Sequence, residues 1–184
     1  MGLHIDLPDA VPGNRAANLA VSAATHPQNN AGVVLAVYLK LCALMCWDAA
    51  LYCAWAASSI NSTSISQAAG AFGVVQNNGL SYAAIFGVDP LTRRSVDSAA
   101  KLMLLPKGAF VGFVNLQDQN RLRHVMIHTG NGWGCGNKND CVLSAGHTTG
   151  WERLDMAAFF LKDAQYNGNG NTRMIYFPVQ GQTI

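Results

Sequence analysis

Hydrophobic and polar positions follow two different periods along the chain, and the change comes near its middle. Residues 46–57 carry small and apolar side chains at helical spacing, with an early acidic residue and a polar stop at 58–62, so the pattern predicts a helix that begins at Cys46. Residues 109–114 and 124–129 are short apolar runs bounded by turn signals, which is typical of core strands. Helices followed by antiparallel strands predict an α+β fold.

Weaker patterns extend this outline. The apolar run at 32–39 is too short to separate a buried strand from the first turns of a helix. We expect a polar lead-in over residues 1–30 and one domain over 31–184. The remaining predictions are short helices at 15–24 and 64–72, a helix at 93–105 capped by Ser95 with Val96, Ala99, Ala100, Met103 and Leu104 inward, a hairpin turn at 130–132, a strand at 141–145, a helix at 156–162 and a final strand at 173–179.

Composition narrows the class of protein. Half of the 184 residues are hydrophobic and 12% are charged, which favours a globular core and argues against disorder. The net charge of +2 is small and scattered, so nucleic acid is not an expected partner. The apolar run at 31–57 is long enough to span a bilayer, but Lys40 and Asp48 interrupt it, and each charge near the centre costs about 2.5–3.5 kcal/mol. We therefore expect no stable membrane insertion.

The cysteines and the N-terminal segment bear on the compartment. Asp6 and Asp9 precede any apolar run, and a basic start is missing, so we expect no secretory signal peptide. Five cysteines are an odd number for a disulfide framework. Cys135 and Cys141 would close a short loop in an oxidising compartment and stay reduced elsewhere. With neither a CxxC partner nor well-spaced histidines to complete a zinc set, no metal is expected.

The predicted helix start at Cys46 and the predicted strand start at His124 together suggest thiolate chemistry. Backbone N–H groups and the helix dipole favour a thiolate at a helix N-terminus, and an imidazole nearby would act as its base. Burial as a plain core cysteine is the alternative, and Cys42, Cys46 and Cys53 would share one face if the helix began earlier. Cys42 or Cys53 could also be the nucleophile. His128, two pleats further along the same strand face, could replace His124 as base.

Two segments resemble a known superfamily. Cys46-Trp47 at a helix start resembles the nucleophile dipeptide of papain-like cysteine proteases. The strings LPKGAFVGF at 105–113 and HVMIHTGNG at 124–132 resemble the paired central strands of NlpC/P60 and CHAP amidases. The resemblance covers less than half of the chain and departs from the family where its Asp-Cys-Ser-Gly is replaced by residues 45–48 and its turn acid by Ala109.

The resemblance implies a papain-like fold, with N-terminal helices packed on a central antiparallel sheet, and assigns roles to residues. Cys46 would be the nucleophile and His124 the general base and acid. A third residue would orient the histidine, with His147 and Asp140 as candidates and Asn137 as a weaker one. Tyr38 would contribute to the oxyanion hole unless it is a core residue. The chemistry needs no metal or organic cofactor.

The expected function is a cysteine amidohydrolase that proceeds through a thioester, acting on the stem peptide of peptidoglycan. The alternative substrate is a host protein, cleaved at a peptide bond or deamidated at glutamine. Without a signal peptide, such an enzyme would be made in the bacterial cytoplasm and delivered to a target cell by a dedicated secretion system, with a cognate immunity protein as partner. The rival readings are a non-catalytic binding module on the same fold and a membrane-associated acyltransferase-like protein.

Overall fold

The computed structural model describes residues 11–25, 32–60, 95–117, 121–137, 139, 150–166 and 170–177. Within these ranges the chain is an α+β structure with an antiparallel sheet of spatial order β1-β6-β2-β3-β4-β5. The helices are α1 Pro12–Thr25, α2 Val33–Ala43, α3 Cys46–Ala56, α4 Ala99–Leu104 and α5 Met156–Tyr166. The strands are β1 Ser95–Val96, β2 Phe110–Asn115, β3 Arg121–Gly130, β4 Trp133–Gly136, β5 Glu152–Asp155 and β6 Thr172–Phe177.

One face of the sheet is covered by the N-terminal helices. Buried alanines of α1 and α3 lie against Val125 and Ile127 of β3, and the Trp47 ring lies 5.9 Å from the ring of Phe110 on β2. Small side chains let the helices approach the strands closely, so the alanines pack densely around the rings of Trp47 and Phe110. The Trp151 indole Nε1 donates to the Ala20 carbonyl at 2.9 Å and ties α1 to the start of β5. We call this side of the sheet the α3 face.

The opposite face is covered by α4 and α5. Val111 and Phe113 of β2 and Met126 of β3 form a second buried cluster with Met156 and Phe159 of α5. The two central strands are therefore buried on both sides, which explains why residues 110–114 of β2 and 125–127 of β3 show no alternation of polar and apolar side chains. We call this side the α5 face.

The structure tests three predictions for the N-terminal third of the chain. The helix predicted at 15–24 exists as α1, and four of its residues are fully or almost fully buried in the α3-face core: Ala16, Leu19, Ala20 and Ala23. A helix inside the expected polar lead-in thus belongs to the main core. The run at 32–39 is a helix, α2, and the helix predicted from Cys46 is confirmed as α3 with that first residue.

The single helical face proposed for three cysteines was wrong. Leu44 and Met45 have extended backbones (φ −88°, ψ 162° and φ −70°, ψ 158°), so Cys42 ends one helix while Cys46 begins another. No glycine or proline marks this break in the sequence. Only tertiary contacts, described below, reveal it.

The predicted helix at 93–105 was also wrong in its start and its inner face. Ser95 and Val96 pair with β6, and Ser98 caps the shorter helix α4 by accepting a hydrogen bond from the Lys101 N–H at 3.2 Å. Leu102 is the buried residue of α4, whereas Ala99, Ala100, Met103 and Leu104 are exposed. Pairing with β6 overrides the local helix preference of this segment.

The later elements agree better with prediction. β2, β3 and β6 lie close to the predicted strands at 109–114, 124–129 and 173–179, and α5 extends the helix predicted at 156–162. β4 and β5 were not predicted, since each has only four residues and one is half glycine. The predicted helix at 64–72 and strand at 141–145 lie outside the described residues.

The contact between α1 and the turn before β2 gives a stability prediction. Gly108 has φ +85°, and a methyl group there would collide with the carbonyl oxygen of Gly13 on α1. Gly170 has φ +91° with nothing within 4 Å of the same position, so Gly170→Ala isolates the backbone strain. We expect Gly170→Ala to cost about 1–2 kcal/mol and Gly108→Ala roughly 1–3 kcal/mol more, measured by urea unfolding. Equal losses would mean that α1 does not press on this turn.

Candidate active site

Cys46 occupies the first turn of α3. Its N-terminal neighbour Met45 is the cap residue and provides no side-chain hydrogen bond to the helix. The first backbone bond of the helix joins the Ala49 N–H to the Met45 carbonyl at 2.8 Å. Cys46 is half-buried, packed against the α3-face core. A thiol in this position experiences the positive end of the helix dipole, which lowers the cost of the thiolate.

Asp48 acts in the opposite direction. It lies in the same first turn, half-buried, and desolvation raises its pKa. A carboxylate here competes with a thiolate for the same N–H groups.

The α2–α3 joint is tied to the far end of β4. The amide nitrogen of Asn137 donates to the Leu41 carbonyl at 2.6 Å and to the Leu44 carbonyl at 2.5 Å. From the start of β5, the Trp151 N–H donates to the Cys42 sulfur at 3.4 Å. Residues on both sides of the segment 138–150 therefore contact the C-terminal half of α2 and the joint that precedes Cys46.

Tyr38 lies one helical turn before Cys42. A side-chain hydrogen bond with Cys42 is the main cause that raises the Tyr38 pKa, with burial as the second. The tyrosine is half-buried on α2 and in contact with the α3-face core. Its described partner is the Cys42 thiol, so the structure associates Tyr38 with Cys42 rather than with Cys46.

His124 lies on the α5 face of the sheet. Residues paired across antiparallel strands share a face, and His124 is paired with Phe113 of the second core cluster. Its ring stacks on Phe159 of α5, with centroids 5.0 Å apart and planes at 20°. The next residue, Val125, points to the α3 face. The structure therefore brings Cys46 and His124 to opposite sides of the sheet.

The ring of His124 is held by a buried polar chain. Its Nε2 lies 2.8 Å from Asn139 Oδ1, while Asn139 Nδ2 donates to the Gly136 carbonyl and to Glu152 Oε1, each at 3.0 Å. Since the amide nitrogen is the donor in both of those bonds, its oxygen accepts, and Nε2 of His124 carries the proton. Desolvation lowers the pKa of His124 to about 4, against the smaller opposing effect of Asn139.

His128, four residues further along β3, is fully buried on the same face. The Gly132 N–H donates to its Nε2 at 3.3 Å, so Nδ1 carries the proton and donates to the Pro106 carbonyl at 3.2 Å. Burial lowers its pKa. Both ring nitrogens are occupied in fixing the β3–β4 turn against the segment before β2. This arrangement suits a structural histidine.

The other predicted residues divide into three groups. His147 and Asp140, the candidates for the orienting residue, lie outside the described residues. Cys53 is fully buried and desolvation raises its pKa well above the usual value, so it is a poor nucleophile. Cys135 is a buried free thiol whose pKa burial raises to about 12, and its possible partner Cys141 lies outside the described residues.

The sequence pattern does not single out Asn139, although its neighbour Asp140 is one of the predicted candidates. An asparagine in a glycine-rich turn usually indicates a turn residue. Only the structure shows its contact with His124. Asn137 lies on the α3 face, and Asn139, two residues later, lies on the α5 face and contacts His124.

The described part of the chain can be searched for a metal site and for a membrane-spanning helix. Those residues contain no group of three or more His, Cys, Asp or Glu side chains arranged to hold a metal ion. Among them, too, no helix combines the length and the apolar character that crossing a bilayer requires. Comparison of the chain with protein-family models, with curated proteins and with solved structures finds no match.

The low pKa of His124 predicts an acid-labile fold. Between about pH 6.5 and 4 the unfolded chain binds a proton at this residue and the folded chain does not, so the free energy of unfolding falls as pH decreases through that window. The loss from this residue approaches about 3 kcal/mol. In His124→Gln the pH dependence should be shallower, with His128 retained as a constant background. An NMR titration that found the wild-type His124 ring charging near pH 6.5 would contradict the assignment.

Proposed function

We propose that the protein is a cysteine amidohydrolase in which Cys46 is the nucleophile. The observation that carries the proposal is the position of this thiol in the first turn of α3, after a cap residue that contributes no side-chain bond. The Cys46 sulfur would attack an amide carbonyl, forming an S–C bond while the C–N bond breaks and the amine leaves with a proton from the general acid. Water then hydrolyses the thioester and restores the thiol.

The helix N-terminus supports the second requirement of this reaction. Backbone N–H groups in the first turn of a helix make no bonds within the helix, and in this proposal those of α3 donate to the substrate oxygen as it becomes negative. Donors of this kind stabilise the oxyanion because they need no reorganisation during the reaction. We extend the proposal to the fold: a helix that presents a cysteine at its N-terminus and packs on a central antiparallel sheet is the papain-like arrangement implied by the sequence resemblance.

The general base is the point where the proposal departs from the sequence prediction. The ring of His124 is buried against Phe159 on the other face, and its low pKa would make it a weak base. His147 takes this role in the proposal. His147 lies outside the described residues, and it is proposed here on the family resemblance, in which a third histidine is frequent.

Removal of the two histidines distinguishes these roles. Selective labelling of Cys46 by iodoacetamide at pH 6–7, read by peptide mass spectrometry, should persist in His124→Gln and shift to higher pH in His147→Ala. Hydrolysis by His147→Ala should fall by about 10²–10⁴-fold, the usual contribution of a general base. Cys42→Ala is the matched control, since it removes a neighbouring thiol. Loss of Cys46 reactivity only in folded His124→Gln would return the base to His124.

Peptidoglycan stem peptide is the substrate that we propose first, because the segments 105–113 and 124–132 resemble those of amidases that act on it. The runner-up is a host protein, cleaved or deamidated at glutamine. In either case the enzyme would be a bacterial toxin or effector delivered by a dedicated secretion system, with an immunity protein as its partner in the producing cell.

Compartment-specific expression tests the substrate class. Directed to the bacterial periplasm, the wild-type protein should cause lysis and release shortened muropeptides, whereas Cys46→Ala should not. Equal toxicity of wild type and Cys46→Ala would rule out enzymatic action as its cause. Toxicity confined to the cytoplasm, with unchanged muropeptides, would favour a protein substrate.

A binding module is the candidate function from another class, and one observation favours it. Apolar side chains of α2 and of the joint after it are exposed, with Leu39 at 59%, Met45 at 50% and Val33 at 43% of full exposure, and Met45 directly precedes Cys46. Such a rim would serve a partner as well as a substrate. Slow, unselective alkylation of Cys46 in the folded wild type would favour this function over catalysis.

A further inference from the structure

The α2–α3 joint is a break for which the local sequence gives no reason. Residues 41–46 are Leu-Cys-Ala-Leu-Met-Cys, all of them compatible with a continuous helix. The chain nevertheless becomes extended at Leu44 and Met45 and starts a new helix at Cys46. Something outside the two helices must fix the position of this break.

Asn137 is the residue in contact with that break. It follows β4 with no solvent exposure, and its amide nitrogen donates to the carbonyls of Leu41 and Leu44 at 2.6 and 2.5 Å. The last carbonyls of a helix have no partner within it, and an extended residue after the helix leaves its carbonyl unpaired as well. One amide group therefore satisfies a carbonyl on each side of the end of α2.

The environment of the amide oxygen indicates that the nitrogen is the atom through which Asn137 stabilises the joint. Asn137 Oδ1 is buried and has no hydrogen-bond partner among the residues that the structure describes. A buried polar atom without a partner destabilises the fold, so an apolar residue would be preferred here if packing were all that mattered. The two bonds from the nitrogen are what the asparagine contributes.

We propose that Asn137 is a positioning residue, which sets where α3 begins and so places the Cys46 thiol at the open end of the helix. It acts through the carbonyls of Leu41 and Leu44 and is not a catalytic residue. As an account of catalysis this rests on the proposed function. As an account of how the joint is held, it stands on the hydrogen bonds alone.

The chain offers a matched control two residues away. Asn139 has the same side chain and the same complete burial, but its hydrogen bonds go to His124, Gly136 and Glu152 on the α5 face. Replacing either asparagine by leucine removes a buried amide of similar size without adding charge near Cys46. A general loss of stability should affect both variants, whereas a specific effect on α3 should affect one.

The experiment compares Asn137→Leu with Asn139→Leu in the full-length chain. Circular dichroism establishes folding, and hydrogen–deuterium exchange reports on the amides of residues 49–52, the first that are hydrogen-bonded within α3. Iodoacetamide labelling against pH reports on Cys46. We expect Asn137→Leu to speed exchange at 49–52 by at least about tenfold and to raise the pH midpoint of labelling by about one unit, which is a tenfold change in the thiolate equilibrium. Asn139→Leu should leave both near wild type.

Three outcomes are decisive. Wild-type exchange and labelling in a folded Asn137→Leu would overturn the proposal, and so would equal changes in the Asn139→Leu control. If Asn137→Leu does not fold, Asn137→Ala, which removes the amide without filling its space, is judged by the same criteria. Unreactive Cys46 in the wild type, together with faster exchange in the variant, would refute the proposed function while supporting the role of Asn137 at the joint.

Discussion

The register of β3 is the constraint on which the rest of the structure depends. Its residues alternate between two buried layers, with Val125 and Ile127 facing α1 and α3, and Met126 facing α5. Because the side-chain period of a strand is two, a slip of one residue would exchange the two sets completely. Pairing with β2 fixes that register along the strand. The β3–β4 turn, which is held by both ring nitrogens of His128, fixes it at the end of the strand.

This alternation also divides the polar chemistry of the molecule. The half-buried thiol of Cys46 and the amide of Asn137 belong to the α3 face, whereas His124, Asn139 and Glu152 form a chain on the other. The imidazole in the apolar layer stays neutral because desolvation outweighs its one polar contact. A neutral, stacked, hydrogen-bonded histidine is a means of filling a core position with specific geometry, and it has little capacity for proton transfer at neutral pH.

The sequence predicts the strongest local features well and tertiary features poorly. The start of α3 at Cys46 and the cores of β2 and β3 follow from local pattern, and the structure agrees. The face of His124 does not follow, because β3 is buried on both sides after this residue. Val125 and Ile127 on one face are as apolar as Met126 on the other, so no polar alternation there indicates which set faces α1 and α3. Ser98 replaces Ser95 as a helix cap for a similar reason, since pairing with a distant strand decides where α4 begins.

The break between α2 and α3 shows what kind of information the sequence lacks at this site. Helix ends usually carry a local signal, such as glycine after the last turn or a capping side chain before the first. Neither Leu44 nor Met45 is such a signal. The carbonyls of Leu41 and Leu44 at the end of α2 accept hydrogen bonds from Asn137, which is 93 residues from Leu44 along the chain. The position of Cys46 at a helix N-terminus is therefore a property of the end of β4 as much as of the helix itself. A change in the strand would move the thiol without touching it.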